Sequence, residues 1–502
     1  MFTRFNDDKK CWGEIMKLRK LHIVLLLVAA LVIGLAGGYA GVELAKSDDP
    51  TAMDNAGVNQ GDQDTNSSGS GTPQNMEKVD QAFKLIKENY LEEIDDKQLV
   101  EGAIEGMLSS LDDPYSSYMD VETMEQFNEQ IESSFEGIGA EVSMVNDTVT
   151  IVAPIKDSPA EQAGLRPNDQ VLQVDGESLE GLNLNEAVAK IRGEKGSEVE
   201  LKIQRAGVSD PFNVTIERDT IPVETVYSKT EEVDGKKTGV LEITNFSERT
   251  ADEFKNQLQE LEDNGIEGLV IDVRGNPGGL LNVVEDVLKE FVPEDMPYLQ
   301  VEDQNGKKTP YYSELTEKKE YPISVVIDEG SASASEILAV AMKEMGYDVV
   351  GQTSFGKGTV QQAVPLGDES TIKLTFYKWL SPEGNWIHEK GVKPTIDVKQ
   401  PDYYYTNPVQ IEEPLTKDQT GDQVKNVQIM LKGLGYDPSR TDGYFNEQTE
   451  KAITQFQSDN DLKATGEVNE QTSALIETQI VDQIRNDKDD QQMEKALNEI
   501  YK

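Results

Sequence analysis

The alternation of apolar and polar positions divides the chain into blocks of different texture. Ile23 to Val42 is a run of 20 residues without a charge. As a helix it would be about 30 Å long, the thickness of a bilayer core. Residues 46–75 hold almost no large apolar side chain and are rich in Asp, Asn, Gly and Ser, which predicts a tether rather than a folded unit. Helical periodicity then begins. Val79, Phe83, Ile86 and Tyr90 share one face, as do Leu99, Ile104 and Met107 in the next segment. LDDPYSSYM (111–119) breaks that pattern, and a polar helix follows to about Ser134. From Phe135 the runs FEGIGAEVSM, TVTIVAPI, DQVLQVDG and VELKIQR read as strands, with a helix over 185–193 between the last two.

Beyond about Thr220 strands alternate with long helices, the pattern of an α/β layer. LVIDVRG (269–275) leads into a helix at Leu280–Phe291, and ISVVID (323–328) into one at Ser333–Met345. DVVG, TVQQAVPL, STIKLTFYKWL and PTIDV supply further strands, residues 400–415 read as a linker, and the last 80 residues are mostly helical. The expected order is a tail (1–20), a membrane segment (21–43), a tether (44–75), a helical region (76–124) and a strand-rich domain (125–215). An α/β core (216–400), a linker (401–418), a small helical domain (419–480) and a helical tail (481–502) complete it. The fold class is therefore multidomain α/β.

Charge orients this arrangement. Residues 1–20 carry six basic groups against three acidic ones, while the whole chain of 502 residues has a net charge of −47. The positive-inside rule puts the basic end in the cytoplasm and everything after Val42 outside a cell membrane crossed once. A cleaved signal peptide is the competing reading of the same run. The acidic excess of the exported part argues against nucleic acid as a partner, since phosphate contacts need clustered Lys and Arg. Cys11 is the only cysteine, and His22 and His388 are the only histidines. No zinc-ribbon or HExxH spacing exists, so neither metal nor cofactor is implied. A hydrolase with one histidine outside the membrane segment points to another base, lysine above all.

Three motifs carry chemistry. In EGSASASEILAVAM (329–342) a strand ends and a helix starts within a Gly/Ser/Ala turn. A serine there can stand beside free helix N–H groups able to hold an oxyanion. Ser333 to Glu336 also fits an S-x-x-E capping box, so a plain helix cap would use the same residues. In TSFGKGTVQQ (353–362) Lys357 lies between two glycines. Desolvation there would lower its pKa and free the amine as a base. Gln361, four residues on, would share a strand face with it and could hold the amine. An exposed edge lysine in a turn is the plainer alternative. In DVRGNPGGLL (272–281) a strand meets a helix through Asn-Pro-Gly-Gly. Ordinary turn chemistry explains those residues, and so does a loop aiming a glycine N–H at a reacting carbonyl.

In this order, strand–NPGG–helix, strand–SASASE–helix and FGKGTVQ resemble the carboxyl-terminal processing (tail-specific) peptidases, serine proteases with a Ser–Lys dyad. The resemblance covers roughly 76–400. It implies Ser333 as nucleophile, Lys357 as base, Gln361 as the group orienting the lysine, and the N–H of Ala334 with that of Gly278 or Gly279 as oxyanion donors. LDDPYSSYM resembles that family's LDPHSxYM with Tyr115 in place of histidine. The region 125–210 resembles a PDZ domain, in which Gly137, Ile138, Gly139 and Ala140 would bind a terminal carboxylate through backbone N–H groups. A PDZ kept only for packing is the alternative. Arg192, after the PDZ helix, would couple peptide binding to cleavage. Residues 421–472 resemble a peptidoglycan-binding module, with homodimer formation or docking to another domain as competing roles.

With the uncharged run and its basic flank, these resemblances imply a membrane-anchored, extracytoplasmic serine endopeptidase of a Gram-positive-like cell, acting on proteins with exposed C-termini. A non-catalytic PDZ and wall-binding scaffold, or an acyl hydrolase on the same core, would be the rivals. His388 is the alternative base.

Overall fold

The computed structural model describes residues 76–502, except Asn146, Asp147, Gln410 and Glu412. The expected membrane segment lies outside the described residues, and among those described no helix is long and apolar enough to cross a membrane.

The α/β core is a six-stranded sheet in the order 226–233, 236–243, 268–272, 323–327, 348–351, 396–397. Its first pair is an antiparallel hairpin, and every later pair is parallel. Alternation sorts the side chains of these strands. Leu241, Ile243, Leu269, Ile271, Val325, Ile327 and Val349 face the helices Thr250–Asp263, Leu281–Leu288 and Ala334–Glu344. Val240, Val270, Val326 and Val350 face the other way, against Met493 and Ala496 of the helix Gln491–Glu499 and Ile500 at its C-cap. Both faces are therefore buried, as a parallel sheet requires. The expected C-terminal tail is the layer that covers one of them.

A second sheet pairs Ser117–Met119, Thr359–Pro365 and Pro297–Glu302 with the long strand Thr371–Leu380, and Lys308–Tyr312 extends it. The chain 111–119, which reads as a break between helices, thus enters the core's own sheet. The strand-rich domain is an antiparallel sheet in the order 140–145, 148–154, 170–174, 198–204, 212–217, with the helix Leu184–Ile191. The expected strand over 135–144 is split at Ile138–Gly139. Its first part, Ser134–Gly137, pairs with Asp219–Pro222, so the two chain segments that join this domain to the core form a ribbon.

Helices Asp422–Gly433, Glu447–Asp459 and Glu470–Arg485 make the small C-terminal domain. The expected linker is not all linker: Tyr403 and Val409 are buried in that domain's core. The helix Glu470–Arg485 also runs past the expected boundary at 480.

Candidate active site

The strand Ile323–Ile327 is wholly buried and ends at Asp328. The Asp328 carboxylate accepts from the N–H groups of Gly275 (2.8 Å), Gly330 (3.0 Å) and Ser331 (3.1 Å), which winds the chain into a tight turn. Three serines follow, and their partners separate them. Ser331 Oγ donates to Val273 O (2.8 Å) and Ser335 Oγ to Asn276 O (2.9 Å), and both residues are buried. Only Ser333 of the three lines the central cleft. Its backbone is left-handed, with φ 52° and ψ −109°. A side chain in that region costs about 1–3 kcal/mol and persists only where its surroundings hold it. Here Ala332 N–H donates to Asn276 O (3.0 Å) and Ser333 N–H to the Glu336 carboxylate (2.8 Å). An ordinary N-cap is extended, so capping alone does not account for this conformation. Ala334 opens the helix, and its N–H has no partner among the described residues.

The NPGG loop lies across this turn. Asn276 is fully buried, donates from Nδ2 to Ile243 O (2.8 Å) and accepts at Oδ1 from Gly278 N–H (2.8 Å). Gly278 has φ 106°, and a Cβ there would stand 2.8 Å from Ser333 Cβ. Gly279 has φ 145°, and a Cβ there would meet Phe246 O at 2.1 Å. Hydrogen bonding separates the two candidate donors: Gly278 N–H is spent on Asn276, whereas Gly279 N–H has no partner among the described residues.

Lys357 sits on a loop held at nearly every peptide. Gly356 N–H (2.7 Å) and Lys357 N–H (2.8 Å) donate to Glu336, as does Ser354 Oγ (2.6 Å). Trp379 Nε1 donates to Lys357 O, and Trp386 Nε1 to Gly358 O, each at 2.8 Å. Gly358 N–H donates to His388 Nδ1 (3.2 Å), and a Cβ on Gly358 would be 2.8 Å from Trp386 Nε1. Fully buried Glu336 thus binds the Ser333 turn and the lysine loop to one carboxylate. Burial, helped by the like charge of Lys373, pulls the Lys357 ammonium below the usual lysine range. The Tyr115 ring, 5.1 Å from Nζ, favours the charged form and works against that shift.

Gln361 does not stand where a regular strand would put it. The strand begins at Thr359, and a bulge falls between Val360 and Gln361, so the expected face-sharing with Lys357 does not run through regular pairing. Its Nε2 donates to Thr359 Oγ1 (2.9 Å) and Thr375 Oγ1 (3.0 Å). The amide oxygen is left without a partner among the described residues. Ser333, Ala334, Gly278, Gly279, Lys357 and Gln361 all line one cavity of about 790 Å³, whose walls include Phe127, Ile131, Ile337 and Trp379. His388 does not line it, and its Nδ1 is occupied by Gly358.

Glu336, Asn276 and the two indoles are the parts that sequence reasoning missed. Glu336 was visible as the last residue of S-x-x-E, but its partners in the lysine loop lie about 20 residues on and carry no periodic signal. Lys373, beside Lys357 in the same cleft, looks like any strand lysine.

In the strand-rich domain Gly137 ends the ribbon, Ile138 is buried, and Gly139 is left-handed (φ 74°). The carbonyl of Gly139 accepts from Ile155 N–H (2.9 Å) and Ser158 Oγ (2.8 Å), and Ala140 opens the next strand. The N–H groups of Ile138 and Gly139 have no partner among the described residues. Arg192 caps the end of the helix Leu184–Ile191, donates to Glu129 (3.0 Å) and lies 4.8 Å above the Phe135 ring. Glu129 belongs to the helix Val121–Glu132, whose Phe127, Gln130 and Ile131 line the cleft. Arg192 therefore joins the strand-rich domain to a wall of the cleft.

Comparison with known proteins matches this layout part by part. The model of peptidase family S41 matches residues 237–398, and that of a PDZ domain 150–205. The N-terminal domain of the activating protease CtpB matches 31–123, and a peptidoglycan binding domain 420–476. The carboxy-terminal processing protease CtpB of Bacillus subtilis is 50% identical over 480 residues, covering 95% of this chain and 98% of its own. CtpA of the same organism is 42% identical over 428 residues, covering 85% and 90%. A probable CtpA-like serine protease of Staphylococcus epidermidis is 37% identical over 413 residues, covering 81% and 82%. With the α/β core, the PDZ domain and the helical C-terminal domain in this order, the chain belongs to peptidase family S41 and is a serine-type carboxy-terminal processing protease.

Proposed function

We propose that this protease is a membrane-anchored, extracytoplasmic endopeptidase that cuts proteins near their C-termini with a Ser333–Lys357 dyad. One observation carries the dyad: the half-buried Lys357 amine, held below its usual pKa, shares a cleft with Ser333, and one carboxylate, Glu336, fixes both loops. Neutral Lys357 takes the Ser333 hydroxyl proton as Oγ attacks the peptide carbonyl carbon. The N–H groups of Ala334 and Gly279 receive the oxyanion, and losing one such donor costs about 10²–10³ in rate. The C–N bond then breaks as the lysine ammonium gives its proton to the leaving amine. Water, deprotonated by the same amine, hydrolyses the acyl-enzyme. The open amide oxygen of Gln361 is the acceptor that steers the amine.

The apolar walls of the cleft suit an apolar side chain beside the cut. Substrate tails, or an activating C-terminus, bind as an added strand in the PDZ domain, with the N–H groups at Ile138 and Gly139 on the terminal carboxylate. Arg192 reports that binding through Glu129 to the cleft wall. The uncharged run 23–42 anchors the protein, and the C-terminal domain supports an association with peptidoglycan in a Gram-positive envelope. Exposed Leu85, Ile86 and Tyr90, with Val100 and Met107 on the next helix, supply apolar surface for a homodimer.

The test is mass-spectrometric mapping of products from a peptide library with wild type, Ser333→Ala and Lys357→Ala. Cuts clustered near C-termini and lost in both variants are expected. Cutting that survives Lys357→Ala but not His388→Ala would overturn the dyad.

A further inference from the structure

The C-terminal tail reaches the active site from behind. Arg274, two residues before Asn276 of the NPGG loop, has its guanidinium between two carboxylates that are less than a tenth exposed. Nε and Nη2 donate to Asp272 (2.9 and 2.6 Å), at the end of the strand Gly268–Asp272. Nη1 and Nη2 donate to the two oxygens of Asp490, each at 2.8 Å, and Nη1 also reaches Gln492 Oε1 (3.3 Å). All five N–H groups are thereby engaged, and a planar guanidinium bound on both sides has no freedom to tilt. Burial pushes the Asp490 carboxyl up, but the bonds from Arg274 hold it below the usual carboxylate range.

Asp490 is itself fixed. It caps the tail helix Gln491–Glu499 by accepting from Met493 N–H (3.0 Å), and Gln400 Nε2 donates to it (2.7 Å). The helix is seated by Met493, Ala496 and Ile500 on the valines of the core sheet. On the other side of Arg274 the chain has no slack. Gly275 N–H is bound to Asp328, its Cα would touch a Cβ on Gly330 at 2.9 Å, and Asn276 is fully buried. Gly278 and Gly279 follow after Pro277.

We propose that Asp490 is a positioning residue for peptide cleavage, through which the C-terminal tail sets the NPGG loop and the Gly279 N–H by way of Arg274. The proposal rests on the oxyanion role given to Gly279 above. Asp272 alone leaves one edge of the guanidinium free, and the loop can then shift by a fraction of an ångström. A misplacement of about 1 Å at a reacting centre can cost on the order of 10²-fold in rate.

The test uses the full-length protein with Asp490→Asn, which keeps a helix-capping oxygen but loses the charge, alongside Asp490→Glu and a tail control, Asp487→Asn. Rates are expressed per folded molecule by circular dichroism. Asp490→Asn is expected to lower kcat about tenfold with KM within about twofold. A peptide boronic acid, which forms a tetrahedral anion on serine, should bind more weakly by the same factor, and the boron-free peptide unchanged. Asp490→Glu should recover part of the loss and Asp487→Asn should show none. Unchanged kcat and boronate affinity in Asp490→Asn would overturn the proposal, as would a loss shared by the boron-free peptide. If Asp490→Asn yields no folded protein, Gln492→Leu replaces it, with a two- to threefold loss in kcat and boronate affinity expected and no loss overturning the proposal. Wild-type cleavage that survives Ser333→Ala would instead defeat the dyad itself.

Discussion

At the scale of single residues, the proposed dyad turns on a lysine that must lose its proton. Burial and Lys373 both disfavour the ammonium of Lys357. In the proposed dyad the protonated form is inactive, and its folded-state pKa lies below the ordinary value, so kcat/KM should rise as pH climbs through that lowered pKa and then level off. A pH–rate profile of wild type and His388→Asn checks this. The rising limb should keep its position without the imidazole, and its disappearance in His388→Asn would point to histidine as the base. The same burial has a stability sign. The unfolded chain binds more protons at this site between the lowered pKa and 10.5, so its contribution to folding stability improves as pH rises through that window.

At the scale of elements, glycine lets the NPGG loop approach the Ser333 turn more closely than any side chain allows, and the Glu336 carboxylate ties that turn to the lysine loop. Gly278 is the glycine that lies directly against Ser333. Gly278→Ala adds a Cβ at φ 106°, 2.8 Å from Ser333 Cβ. We expect cleavage to fall at least about 10²-fold through displacement of the loop, while peptide affinity of the PDZ domain, measured by titration calorimetry, stays unchanged. Loss of PDZ affinity in step with activity would mean general disruption instead. The strands and helices that carry these loops were legible from alternation and turn residues: the helix expected at Ser333–Met345 is Ala334–Glu344. What bridges the loops was not. Glu336 reads as a capping residue, and nothing in local spacing reveals that its carboxylate also holds Gly356 and Lys357. The bulge before Gln361 was equally hidden, because a bulge depends on the partner strand.

Across the whole molecule, two connections reach the cleft from outside the core. One is the tail through Asp490. The other is Arg192, whose bond to Glu129 ties the PDZ domain to the helix lining the cleft. Both charges are more than a third exposed, so the pair adds little to stability. Its removal should therefore act on coupling. Arg192→Ala is expected to keep the melting temperature within about 2 °C and to abolish the stimulation of cleavage by an added C-terminal peptide. Unchanged stimulation would remove Arg192 from the mechanism.

The sequence by itself determined the order of PDZ domain, α/β core and helical C-terminal domain and the strand–turn–helix setting of Ser333, because each of these is written in local pattern and residue type; the proposed choice of serine and lysine over histidine and cysteine rests on residue type as well. Only the tertiary structure decided which glycine keeps a free N–H, which of three serines faces the cleft, and that the last helix closes the sheet behind the NPGG loop. Those outcomes depend on hydrogen bonds and burial between segments far apart in the chain, Arg274 and Asp490 among them. Such pairings leave no trace in the spacing of either segment alone.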